Sequence, residues 1–130
     1  MLDGRIWAAI VIMTLFMTRL DVEVIHRGYV LGPKHMTNIV VHQFVILASI
    51  LGLLFVGRTS IQAHLFLLTM CVVCWLWFNG CFLYQWQVDN IPYEEMDLKR
   101  IHGSPSGQFW RFMAIIVPGI LIDVYKLGYL

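Results

Sequence analysis

Five histidines, eight carboxylates and three cysteines are the side chains of this chain with the most chemistry to offer. Glu23 and His26 stand three residues apart, a spacing that brings both onto one face of a helix and reproduces half of a di-iron carboxylate motif. With His42 and His102 they form a candidate metal set, because imidazole and carboxylate suit Zn, Fe, Mn and Cu. The set is incomplete as a motif. Histidine pairs at i,i+3 or i,i+4 are lacking, as are an H-E-x-x-H run and a second Glu-x-x-His. His42 and His64 open successive antiparallel helices, so they lie near opposite ends and cannot share one iron. Cys71-Val72-Val73-Cys74 fits C-x-x-C but stands alone in an apolar run, away from any helix N-terminus that would stabilise a thiolate. Cys71, Cys74 and Cys81 read instead as small packing residues.

A second group is defined by misplaced charge. Arg19 follows Arg5 by fourteen residues, about 21 Å along a helix, which is shorter than a hydrocarbon core of about 30 Å. Either the first helix sits shallow, or Arg19, Asp21 and Glu23 lie partly inside the membrane, where with Arg111 they would form an intramembrane charge cluster. Charges at that depth must pair or snorkel to the interface. The expectation is that Asp21 or Glu23 lies within ion-pair reach of Arg19, Arg27 or Arg111, and that His42 faces inward rather than toward lipid. Arg111 and Asp123 pose the same problem at twelve residues apart. Topology groups Asp123 with Arg5, Arg58 and Lys126 at the opposite end.

The elements that must carry these groups follow from composition. The chain has 130 residues, 59% of them hydrophobic, 14% aromatic and 13% charged, with a mean hydropathy of +0.74. Ordinary globular domains carry about 25% charged residues, so this chain has too little polar surface to dissolve alone. An integral membrane protein is implied. A disordered chain and a soluble enzyme are excluded, and a net charge of +1 leaves no basic patch for nucleic acid.

Four apolar runs predict an all-α, four-helix membrane bundle, a single transmembrane domain over residues 1–130 with spans at about 6–28, 38–57, 62–86 and 109–127. Gly32-Pro33 stops the first, Arg58-Thr59-Ser60-Ile61-Gln62 is a tight turn between the second and third, and Pro118-Gly119 interrupts the fourth. The polar stretch 87–108 reads as a connecting loop. Ser49 and Gly52 on the second run, with Cys71, Cys74 and Cys81 on the third, fall at helical spacing and read as a packing seam of small residues. Even-numbered spans place both termini on one side. Arg19, Arg27, Lys34, Lys99, Arg100 and Arg111 outnumber Arg5, Arg58 and Lys126, so the positive-inside rule puts segments 21–37 and 87–108 in the cytoplasm.

His42, Gly52, His64, Trp77 and the run Asn79-Gly80-Cys81-Phe82-Leu83 resemble a family of small four-helix integral membrane proteins without assigned function. The resemblance covers the second and third helices, roughly a third of the chain, and implies the four-helix fold. That family follows Cys-x-Leu with Thr and an acidic residue, where this chain has Tyr84-Gln85-Trp86.

With no catalytic constellation and no cofactor motif, the reading is a non-catalytic accessory or structural subunit. Its partners would be the lipid bilayer and other membrane proteins or further copies of itself. The alternatives are a membrane metal or redox protein using Glu23, His26, His42 and His102, and a small oligomeric channel or transporter. A potassium-type filter is absent from the sequence.

Overall fold

A computed structural model describes residues 1–91 and 105–129. Every element among them is helical. Helix α1 spans Leu2–Leu20 and runs into a π-helical turn at Asp21–Ile25. Helix α2 spans Pro33–Leu51 and ends in a 3-10 turn at Gly52–Leu54. Helices α3 (Arg58–Phe78), α4 (Phe82–Asn90) and α5 (Pro105–Lys126) follow.

Local chemistry fixes the boundaries. Pro33 takes the first position of α2, where its missing N–H costs nothing. The Gly32 N–H just before it donates to His35 Nδ1 at 2.9 Å. The π turn closes with the His26 N–H on the Asp21 carbonyl at 3.0 Å, so the first helical segment ends at Ile25 rather than continuing to 28.

The expected single helix over 62–86 is two helices. Asn79 adopts the left-handed conformation at φ 52°, and the Gly80 N–H reaches back to the Trp75 carbonyl at 3.0 Å. An Asn in this conformation with Gly behind it satisfies the last carbonyls of α3 and turns the chain. Of the segment 87–108 predicted as a connecting loop, the described ends are helical. Helix α4 continues to Asn90, supported by Gln85 Nε2 donating to Asp89 Oδ1 at 3.0 Å, and α5 begins at Pro105.

Among the described residues, three segments are long and apolar enough to cross a membrane: Pro33–Leu54, Arg58–Phe78 and Gly107–Lys126. They mark the chain as a membrane protein. Every eighteen-residue stretch of α1 holds Asp3, Arg5 and Arg19, whereas 107–124 holds only Arg111 and Asp123, so among the described residues three candidate spans stand where four were expected.

Helix α1 packs mainly along α2, and α5 mainly along α3. The α3–α5 register can be read from its contacts. Trp75 stacks on Phe112 with ring centroids 4.2 Å apart. One heptad back on α3, Leu68 lies against Gly119, where an added Cβ would come 2.7 Å from Leu68 Cδ1. One further turn brings His64 to Asp123. Steps of seven and four residues on α3 are matched by equal steps in reverse on α5, as antiparallel helices require. The buried cluster Ile6, Ile10, Leu47, Ala48, Phe55 and Ile61 closes the α1–α2–α3 side, with Trp7 on Phe55 at 4.7 Å.

Candidate functional site

At the end where α2 turns into α3, polar side chains from four helices converge. The centre is His64. Its Nδ1 lies 2.7 Å from Asp123 Oδ2, and both side chains are fully buried. Its Nε2 faces the Ser49 backbone carbonyl at 3.1 Å. The approach to Asp123 is close but poorly aligned, so neither His64 Nδ1 nor the Asp123 oxygens gain a hydrogen bond of good geometry.

The protonation of the pair follows from its partners. A carbonyl oxygen only accepts, so Nε2 must carry a hydrogen. A neutral His64 of that tautomer would turn the Nδ1 lone pair toward a carboxylate oxygen, which is repulsive. One proton must then lie between Nδ1 and the Asp123 oxygen. The pair is either imidazolium with carboxylate or neutral imidazole with carboxylic acid, and either way its net charge is zero. A lone buried carboxylate would cost several kcal/mol, roughly, in this setting.

Glycines make room for this arrangement. A Cβ on Gly52 would overlap Cδ2 of the His64 ring, so α2 meets α3 only with a bare backbone there. Phe55 lies edge-on to the same ring at 6.0 Å. Around this centre, two charged side chains cap helix ends. Lys126 Nζ donates to the Leu53 and Phe55 carbonyls at 2.6 and 2.9 Å, placing a cation on the negative C-terminal end of α2. The Asp3 carboxylate accepts from the Val56 and Gly57 N–H groups at 3.0 and 2.9 Å, at the positive start of α3. The Val56 N–H chiefly, outweighing partial desolvation, holds the Asp3 carboxyl below its ordinary value of 3.8, with Ser60 and Gly57 assisting.

The sequence-defined residues are distributed differently. Arg19 Nε donates to Glu23 Oε1 at 2.8 Å, one turn apart, and both side chains are exposed. That pair needs no membrane burial to explain it. Asp21 turns inward instead, with His26 Nδ1 at 3.6 Å and Gln43 Nε2 at 3.4 Å. Arg111 is exposed and lies with His42 at the mouth of a separate cavity. The four-residue charge cluster is thus not one contiguous group. The candidate metal set is not assembled either. Glu23 is engaged with Arg19, His26 lies buried beside Asp21, and His42 approaches Cys81 Sγ at 3.6 Å. His102 lies outside the described residues. Among the described residues, no group of three or more His, Cys, Asp or Glu side chains is placed to hold a metal.

Of the seam residues, Ser49 and Gly52 are buried at the α2–α3 crossing. Cys71, Cys74 and Cys81 instead line a cavity of about 530 Å³ between α2, α3, α4 and α5, with His42 and Ser49 on its α2 wall. What the sequence reasoning missed is the His64–Asp123 contact. The equal four-residue steps His64–Leu68 and Gly119–Asp123 acquire meaning only once α3 and α5 are seen to run antiparallel in this register. No family model, no curated protein and no solved structure matches this chain.

Proposed function

We propose that the chain is a non-catalytic integral membrane protein, an accessory or structural subunit whose helices pack against another membrane protein. In this reading α1 lies with the three apolar helices in the bilayer, and segments 21–37 and 87–108 face the cytoplasm. The observation that supports it most is how the helices divide their polar and apolar groups. Several internal polar side chains are spent on helix–helix and helix–backbone contacts. Besides His64 and Asp123, Ser49 Oγ donates to the Val45 carbonyl and Thr14 Oγ1 to the Ile10 carbonyl, both at 2.7 Å. The outward face of α3, by contrast, is large and apolar: Phe66, Leu76 and Trp77 are 67%, 74% and 81% exposed. Bulky rigid aromatics supply contact area at little entropic cost, so they suit a protein partner as well as lipid.

Photocrosslinking residues placed at Leu76 and Trp77, and at Val11 on α1 for contrast, test this in native membranes. Discrete protein-sized adducts from positions 76 and 77 are expected. Lipid adducts alone at all three positions, with monomeric behaviour in mild detergent, would contradict the reading.

A further inference from the structure

The cavity between α2, α3, α4 and α5 is polar at one end and apolar at the other. Its mouth, where α3 ends and α5 begins, carries Tyr84, Gln108 and Arg111, with His42 from the middle of α2. Its inner wall is Leu67, Met70, Ile115 and Ile116, with the three cysteines between. From Leu67 to the end of α3 is eleven residues, a depth of about 16 Å. At about 530 Å³ it falls within the roughly 300–1,000 Å³ of small-molecule sites. Ile46, Met70 and Phe82, each 41–44% exposed, carry its wall out to the apolar surface of the helices. The described lining includes a guanidinium and an imidazole but no carboxylate.

We infer that this cavity holds one acyl chain of an anionic phospholipid, with the phosphate on the Arg111 guanidinium at the mouth. The charge at the mouth selects the occupant. Among the described lining residues no carboxylate neutralises Arg111, whereas a lipid phosphate would supply that charge at the mouth and keep its chain out of water. Arg favours phosphate because its planar donors meet two oxygens at once. Arg111 snorkels from the first turns of α5 to that level. The apolar depth then discriminates a lipid from a free phosphate, which would gain nothing from Leu67 or Ile116.

The test uses the full chain in mild detergent, titrated separately with dioleoyl phosphatidylglycerol, dioleoyl phosphatidylcholine and glycerol phosphate, with retained ligand counted by native mass spectrometry. Phosphatidylglycerol is expected to bind about fivefold more tightly than phosphatidylcholine, the preference of one basic side chain near a membrane surface. Arg111→Gln should bring the two lipids level. Cys74→Phe, which fills the middle of the cavity, should reduce retention of both lipids. Met70→Trp fills it from a more exposed position and tests the same point if Cys74→Phe does not fold. Equal binding of both lipids to the unaltered protein would overturn the inference. So would an undiminished preference in Arg111→Gln, unchanged retention in a folded filling variant, or glycerol phosphate competing as well as the intact lipid.

Discussion

Gly52 lies flat against the imidazole of His64, with no room for a methyl group between them. Gly52→Ala must therefore push α2 from α3 or turn the ring away from Asp123 and the Ser49 carbonyl. Overpacking of this kind costs about 1–3 kcal/mol. Unfolding in mild detergent is expected to show that loss for Gly52→Ala alone. In a His64→Ala background the same substitution should cost little, because the obstructing ring is gone.

Gly119→Ala sets a useful contrast. The atom it would meet, Leu68 Cδ1, is the end of a flexible side chain, which can move by rotamer where a ring wedged between helices cannot. Its cost in the same assay should be smaller than that of Gly52→Ala. An equal or larger loss would show that the α3–α5 ladder is the stiffer contact.

The existence and order of the helices were legible in the sequence because long apolar runs bounded by Gly-Pro and polar turns leave little choice. The break at Asn79-Gly80 was also written there, as a left-handed cap, but apolar residues continue through Tyr84 and the run outweighed the cap. The one-turn pairing of Arg19 with Glu23 could be read from spacing alone. The His64–Asp123 pair could not, since two residues 59 apart meet only through the α3–α5 register. Arginines and lysines drew attention as partners for Asp123, and a histidine within an apolar helix did not. Of the candidate metal set, the described members Glu23, His26 and His42 share one end of the topology but turn to different partners, and His102 lies outside the described residues.

Asp3 provides the pH dependence. Its carboxyl is depressed below 3.8 in the folded protein by N–H donors that only the charged form rewards. A depressed acid contributes stability that is fully present above its unfolded value and is lost as pH falls through the folded one. Unfolding measured from neutral pH downward should show the unaltered protein losing this contribution below pH 3.8. Asp3→Ala should be less stable at neutral pH and should lack that acid-side step. A parallel pair of profiles would mean that Asp3 does not cap α3.

Lys126→Met should expose the value of the cation at the end of α2. The Leu53 and Phe55 carbonyls would lose their donor, and a favourable charge at a helix C-terminus contributes about 0.3–1 kcal/mol. The loss should shrink in high salt, since Lys126 is exposed. A salt-independent loss would point to the two lost hydrogen bonds rather than to the charge.

Removing one member of the buried pair should be the most damaging of these changes. Asp123→Ala or His64→Ala each leaves a polar partner without compensation, at about 3–5 kcal/mol. Replacing both with leucine should recover much of the loss, because the pair's desolvation disappears with it.

The protonation of His64 tests the central claim most directly, by nitrogen-15 solid-state NMR of histidine-labelled protein in bilayers at neutral pH. A proton on Nε2 is predicted, with His64 either doubly protonated or neutral beside a protonated Asp123. A neutral ring protonated on Nδ1, with Nε2 bare, would contradict the account, because the Ser49 carbonyl would then face a lone pair and the buried pair would carry a net negative charge.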